Sequence, residues 1–144
     1  MNVDFATLIP HQGGMCLLQT VVDWNAQSIV VRTGTHRASD NPLRSHGRLR
    51  ALHLCEYGAQ AMAVHGALKA QAGGMRAPPG VLVSLRGVTL LRDFIDDLPE
   101  LLEVRADCLH ATEASLQYGF SVRHREQLLA EGRAAVVLGP LELG

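Results

Sequence analysis

The feature that most constrains the fold is one long helical segment, residues 48–71, which reads RLRALHLCEYGAQAMAVHGALKAQ. Its apolar residues recur at three- and four-residue steps, which is the period of an amphipathic helix. They are Leu49, Leu52, Ala59, Ala63 and Ala67. Alanine and glycine dominate the segment, so the helix is thin. We therefore expect a long helix that a curved sheet approaches closely.

Two polar side chains fall on this predicted apolar stripe. Glu56 is seven residues after Leu49 and Gln60 is four after Glu56, so both share its face. Burial of a carboxylate is costly unless it has a partner or a function. The pattern predicts that Glu56 is buried, with a pKa raised by desolvation that favours a protonated donor. A structural carboxylate bonded to His53 or Gln60 is the alternative.

The rest of the chain reads as strands separated by turn residues. The predicted strands are residues 15–23, 27–35, 81–93, 101–109, 115–123 and 128–138. Two strands, one helix and four strands are typical of an α+β fold, here an antiparallel sheet packed on one helix, and we expect one domain over residues 1–144. The alternation of apolar residues changes parity at Gly87, which predicts a β-bulge.

Composition excludes several classes of function. Thirteen basic and fourteen acidic residues give a net charge of −1 without a basic run, so we expect no nucleic-acid partner. No stretch approaches the roughly 20 apolar residues of a membrane span. The three scattered cysteines favour reduced thiols in a cytoplasmic protein. No CxxC or HExxH spacing occurs, so we expect no metal.

Candidate chemistry lies where the second predicted strand meets the helix. His36 ends that strand, and with Glu56 it could supply a base and an acid of different pKa. Backbone N–H groups near Gly47, at the expected helix start, would bind an oxyanion. The alternative for His36 is an ordinary surface histidine. His65 falls opposite Glu56 on the helix and is expected to be solvated.

Several segments together resemble one known family. The motif LIPHQGGMCLLQTVVDW, His36 six residues before Pro42, and EYGAQA from Glu56 are similar to three successive motifs of the hotdog-fold 3-hydroxyacyl-(acyl carrier protein) dehydratases. VSLRGVTLLRDFIDDLPELLEV and LLAEGRAAVVL continue the similarity to Leu138. NPLR followed by EYGAQAMAVHGAL most resembles the dehydratase-like proteins of aryl-polyene biosynthetic clusters.

This resemblance implies a hotdog fold, with about six antiparallel strands around one central helix, and a homodimer or heterodimer of such subunits. His36 of one subunit would act as base with Glu56 of the other as acid. Gln60 would orient Glu56 or shape the acyl tunnel, and helix-start amides near Gly47 would bind the thioester oxygen. The substrate would be a 3-hydroxyacyl chain on the phosphopantetheine of an acyl carrier protein, with no other cofactor.

The spacing departs from the family pattern, and alternatives follow from that. Gly47 and His36 lie farther before Glu56 than the family usually places its glycine and histidine, which leaves His46 as a rival base. An acyl thioesterase of the same fold, or a catalytically weak partner subunit of a heterodimeric dehydratase, are the other functions considered. Candidates for contacting an acidic carrier protein are Arg44, Arg48 and Arg50.

Overall fold

The computed structural model describes Phe5 and residues 15–75 and 80–138. Residues 15–75 and 80–138 form six strands and one long α-helix, which are β1 (Thr20–Trp24), β2 (Ser28–Thr33), α1 (Leu54–Ala72), β3 (Gly80–Leu90), β4 (Leu102–Ala111), β5 (Ser115–His124) and β6 (Gln127–Leu138). Every predicted strand is present, although β1 begins five residues later than expected. The start of the N-terminal motif, residues 8–14, lies outside the described residues.

The strands make one sheet in the order β1-β2-β4-β5-β6-β3, and every neighbouring pair is antiparallel. Helix α1 packs across β2, β4, β5 and β6, so the core lies between the helix and the central strands. The connection from β2 to β3 carries the helix, and β3 lies at the edge of the sheet opposite β1. The α+β prediction is confirmed.

The predicted apolar face of the helical segment is confirmed at Leu49, Gln60 and Ala67, which are buried, and is wrong at three other positions. Leu52 precedes α1 and is 57% exposed, while Glu56 and Ala63 on the helix are also exposed. The buried face instead carries Leu54, Tyr57, Ala61, Val64 and Leu68. Alanine and glycine lie on every side of the helix, so the spacing of apolar residues did not indicate one face. The few large side chains determine which face packs against the sheet. Among the residues described, no helix combines the length and apolarity needed to cross a membrane.

The thinness of the helix does allow a close approach to the sheet. A Cβ atom at Gly58 would lie 2.7 Å from the ring of Phe120 on β5. Real Cβ atoms do not come this near to another heavy atom, so only glycine fits here without movement of the ring. The expected close packing of helix and sheet is therefore confirmed.

The long edge strand β3 contains the predicted bulge. Its register against β6 shifts between Arg86 and Thr89, and Gly87 has a φ of +59°. Glycine adopts this left-handed conformation without the steric penalty that a side chain would bring. The bulge prediction at Gly87 is confirmed.

Candidate active site

The turn that follows β2 buries His36. Residues Thr35–Arg37 form a short 3₁₀ helix, and the imidazole of His36 is completely inaccessible to solvent. The main-chain N–H of Gly34 donates to Oε1 of Gln19 at 2.7 Å, and the N–H of Arg37 donates back to the carbonyl of Gly34 at 3.1 Å. The chain thus turns immediately after the strand and directs His36 inward.

One main-chain carbonyl fixes the tautomer of His36. Nε2 of the ring lies 2.9 Å from the oxygen of Leu98. A carbonyl oxygen only accepts, so Nε2 carries the hydrogen and Nδ1 of the neutral ring keeps its lone pair. Nδ1 is buried and has no hydrogen-bond partner among the described residues. Because burial lowers the pKa of His36, the ring is neutral near neutral pH and holds a free basic nitrogen.

Hydroxyl and amide groups tie the His36 turn to the helix. Oγ1 of Thr35 lies 2.9 Å from the hydroxyl of Tyr57, and Nδ2 of Asn41 donates to the carbonyl of Thr35 at 2.9 Å and to the Tyr57 hydroxyl at 3.2 Å. Burial raises the pKa of Tyr57, so its hydroxyl stays neutral. Sequence reasoning missed Tyr57 and Asn41. A buried tyrosine needs a partner for its hydroxyl, which was the available signal.

The guanidinium of Arg44 holds the loop that follows His36. It donates to the carbonyls of Ala38 at 2.7 Å, Gly47 at 2.8 Å and His36 at 3.3 Å. Arg44 is half-buried by these contacts. Its nitrogens face the loop's own main chain, so its predicted role in contacting a carrier protein is not supported by this geometry.

The two other arginines of that prediction differ from each other. Nε of Arg48 lies 3.0 Å from Oδ2 of Asp96, and the guanidinium lies 4.1 Å from the centre of the Phe94 ring. Arg48 therefore joins the segment before α1 to the loop after β3, although its side chain is 46% exposed. Arg50 is exposed.

Glu56 is exposed in the first turn of α1, contrary to the prediction that it is buried. The desolvation on which its predicted protonation rested is absent from the single chain. No hydrogen bond joins Glu56 to His36 within the described part of the chain. The implied meeting of these two side chains across a dimer remains a prediction.

Gln60 is buried on α1 but serves the segment before β1. Its Oε1 accepts the N–H of Leu17 at 2.9 Å, and its Nε2 donates to the carbonyl of Met15 at 2.6 Å. The amide is therefore oriented by the main chain of residues 15–17. Its implied role beside Glu56 stays a prediction.

The predicted helix start near Gly47 is wrong. His46 and Gly47 have φ values of +54° and +76° and form an exposed tight turn between Ser45 and Arg48. A 3₁₀ turn at Ala51–His53 follows, and α1 begins only at Leu54. Gly47 is therefore not at a helix N-terminus, and the oxyanion site expected there loses its geometric basis. The rival base His46 is exposed, whereas His36 is buried.

His65 is buried, although it was expected to be solvated. At about 100° per residue it lies opposite Glu56, so the same misjudged rotation of the helix explains both errors. The imidazole is fully inaccessible, with Nδ1 2.6 Å from the Tyr118 hydroxyl and Nε2 2.7 Å from the carbonyl oxygen of Asn25. The burial lowers the pKa of His65. Both ring nitrogens have partners, so His65 has a structural role.

The cysteines give no sign of a nucleophile. Cys16, Cys55 and Cys108 are all free, as predicted. Burial raises the pKa of the Cys55 thiol and the neighbouring Glu56 adds to this, which disfavours the reactive thiolate. In residues 15–75 and 80–138, no group of three histidine, cysteine or acidic side chains is placed to hold a metal ion.

Comparison with known protein families decides the assignment. The family model described as ApeP-like, the ApeP dehydratase, matches residues 3–142, which is nearly the whole chain. The chain belongs to the ApeP-like dehydratase family. The predicted relationship to the dehydratases of aryl-polyene clusters is thereby confirmed. Comparison with curated proteins gives no match.

Several solved structures share the fold of this chain. The dehydratase heterocomplex ApeI:P from Xenorhabdus doucetiae matches with a TM-score of 0.87 at 17% identity, over 98% of this chain and 94% of that one. A putative thioesterase from Shewanella oneidensis matches with a TM-score of 0.65 at 13% identity, over 94% and 92%. A hypothetical thioesterase from Streptococcus pneumoniae TIGR4, with coenzyme A, gives 0.60 at 13% identity, over 82% and 83%. These likenesses confirm the hotdog fold.

Proposed function

We propose that this ApeP-like protein eliminates water from a 3-hydroxyacyl thioester carried on the phosphopantetheine of an acyl carrier protein, with no metal or dissociable cofactor. The observation that carries the proposal is the free lone pair on Nδ1 of buried His36. The ring is held by Leu98, and a neutral imidazole is suited to accept a proton near neutral pH. Membership of a dehydratase family supplies the reaction class.

In the proposed step, Nδ1 of His36 takes the proton from the carbon next to the thioester carbonyl. The electron pair of that C–H bond forms the new double bond, and the bond from the neighbouring carbon to its hydroxyl breaks. Glu56 gives its proton to the departing hydroxyl, which leaves as water. The carbonyl of Leu98 keeps the Nε2–H of His36 bonded while the ring gains positive charge, which favours proton uptake at Nδ1.

In a homodimer, Glu56 enters this scheme from the other copy of the chain. In a heterodimer, the acid beside His36 comes from the second subunit, and Glu56 of this chain serves the base of that subunit. It is exposed in the first turn of α1, where a neighbouring subunit can cover it. A second subunit that covers Glu56 would bring its carboxyl group to the reacting centre. The exposure of Glu56 in the single chain is therefore compatible with catalysis only as part of a dimer.

The sheet edge supplies a surface for that dimer. Strand β3 is an edge strand of 11 residues, and its large apolar side chains are exposed. They are Val81, Leu82, Val83, Leu85, Val88 and Leu90. Long apolar edges are aggregation hazards unless they are paired. We propose that β3 pairs with a second hotdog subunit in the cytoplasm, where free cysteines persist. ApeI:P, a heterocomplex, supports a heterodimer over a homodimer.

The test follows a 3-hydroxyacyl carrier protein by mass spectrometry, with the chain alone and mixed with a second hotdog dehydratase subunit. We expect the acyl chain to lose the mass of one water. His36→Ala and Glu56→Gln should each abolish this loss for the chain alone, and the double variant should abolish it in the mixture. His46→Ala is the matched control and should retain turnover. Turnover of the chain alone that survives His36→Ala, turnover of the mixture that survives the double variant, or turnover that is lost in His46→Ala would refute the assignment of the reacting groups.

The same assay separates the alternatives. Release of a free thiol without an unsaturated acyl chain would identify a thioesterase. Activity that appears only with the second subunit, and survives both His36→Ala and Glu56→Gln, would show that this chain completes the dimer without supplying the reacting groups.

A further inference from the structure

Three consecutive residues between β3 and β4, residues 98–100, are each held by a side chain of another element. The Leu98 carbonyl bonds Nε2 of His36 at 2.9 Å, and the Pro99 carbonyl accepts from Nη1 of Arg37 at 2.9 Å. The N–H of Glu100 donates to Nε2 of His124 at 3.1 Å. Two histidines therefore hold the same short segment from opposite ends.

His124 is placed for this contact by the sheet. It is the last residue of β5 and pairs in register with Leu102, the first residue of β4. Only 7% of its surface is exposed. The main chain two residues before Leu102 thus passes beside its imidazole, and the contact is part of the sheet architecture.

The donor in this contact fixes the state of His124. A main-chain N–H only donates, so Nε2 of His124 must keep its lone pair and the hydrogen lies on Nδ1. A proton added at Nε2 would place a second N–H donor opposite the N–H of Glu100, and the hydrogen bond between them would be lost. The bond therefore exists only while His124 is neutral.

We propose that His124 is a positioning residue for His36. By holding the N–H of Glu100 it keeps the Leu98 carbonyl where it orients the ring of His36 and leaves Nδ1 free. The inference rests on the proposed function, in which His36 is the base. His124 does not itself touch the substrate, and its protonation loosens the segment that holds His36.

Charged groups of both signs surround His124. Arg125 and Arg92 oppose its protonation, Glu100 and Asp97 favour it, and His36 faces it from the turn after β2. Burial lowers the pKa of His124, which supports a neutral ring near neutral pH. Lowering the pH therefore protonates both His36 and His124, and each protonation works against His36 as a base.

The experiment compares His124→Gln and His124→Phe in the complex with the second subunit, on the carrier-bound substrate. Glutamine can accept the Glu100 N–H through Oε1 but does not titrate, whereas phenylalanine fills the space and cannot accept. We expect His124→Gln to keep most of kcat, and His124→Phe to lower kcat about tenfold with little change in KM. The exposed residue His110, substituted in the same two ways, is the control.

Two further measurements distinguish an effect on the position of His36 from a general loss of protein stability. On the acid side of the pH profile, kcat/KM of the wild type should fall more steeply than the uptake of one proton allows. In His124→Gln it should fall as expected for the uptake of one proton. Nitrogen NMR should show His36 with hydrogen on Nε2 in the wild type and a tautomer mixture in His124→Phe. Wild-type kcat and an unchanged His36 tautomer in His124→Phe would overturn the inference. If His124→Phe does not fold, an unaltered acid limb in His124→Gln overturns it.

Failure of the proposed function would look different. A wild-type complex that dehydrates no carrier-bound substrate would contradict the function. The tautomer of His36 in His124→Phe would still decide whether His124 positions it.

Discussion

Nε2 of His36 and the main-chain oxygen of Leu98 lie 2.9 Å apart, although the two residues are separated by 62 positions in the chain. This contact leaves Nδ1 as the only basic nitrogen of the ring. The pKa of His36 is lowered from its usual value of 6.5, chiefly by burial. The proposed base is therefore neutral throughout the range above that value.

The first prediction concerns the pH dependence of turnover. With the pKa of His36 lowered from 6.5, kcat/KM should fall to half of its plateau value only below pH 6.5, as Nδ1 takes up a proton. Steady-state rates of the complex across this range provide the measurement. A half-maximal rate at a pH clearly above 6.5 would contradict a buried His36 with a lowered pKa as the base.

The second prediction concerns Gly58 and Gly66, two glycines of the same helix. A Cβ at Gly58 would lie 2.7 Å from the Phe120 ring, whereas a Cβ at Gly66 would meet nothing within 4 Å. Gly58→Ala should lower the free energy of unfolding by about 1–3 kcal/mol through overpacking. Gly66→Ala should raise it by about 0.5–1 kcal/mol through helix propensity. Denaturant titrations at one protein concentration measure both, and similar values for the pair would show that Phe120 moves aside freely.

The third prediction concerns the stability of the fold in acid. Burial lowers the pKa of His65 in the folded chain from its usual value of 6.5. Below about pH 6.5 the unfolded chain therefore binds more protons than the folded chain, so the free energy of unfolding decreases as the pH falls. This single histidine lowers the free energy of unfolding by at most about 1.4 kcal/mol for each pH unit of acidification, and it contributes no slope at pH values well above 6.5. His65→Gln should be less stable at neutral pH but lose stability less steeply on acidification. His110→Gln, at an exposed site, should keep the wild-type slope, and an equal slope in all three proteins would exclude His65 as a source.

The fourth prediction separates Arg44 from Arg50. Arg44 bonds three main-chain carbonyls of the loop after His36, while Arg50 is exposed. Arg44→Gln should lower the free energy of unfolding by about 1–3 kcal/mol, because these three main-chain carbonyls lose their charge-assisted hydrogen bonds. Arg50→Gln should change it by less than about 0.5 kcal/mol. Thermal melts of the two variants provide the comparison, and an unaffected Arg44→Gln would mean that the loop holds its shape without the guanidinium.

Much of the architecture could be predicted because its signals are local. β-branched runs between turn residues marked the strands, and the parity change at Gly87 marked the bulge, since both follow from a period of two along a pleated chain. The order of elements then favoured an antiparallel sheet on one helix. The face of the helix could not be predicted, because alanine and glycine surround it and Tyr57, Leu54 and Leu68 were outweighed by smaller residues.

The candidate site divides in the same way. The sequence by itself determined the family, the hotdog architecture and His36 at the end of a strand, because these depend on the order and spacing of residues along the chain. Only the tertiary structure decided that Glu56 is exposed, that His65 is buried, and that His36 and His124 both bond the segment of residues 98–100. Those outcomes depend on which distant main-chain groups come within hydrogen-bond distance once the sheet closes on the helix, and no local pattern encodes that.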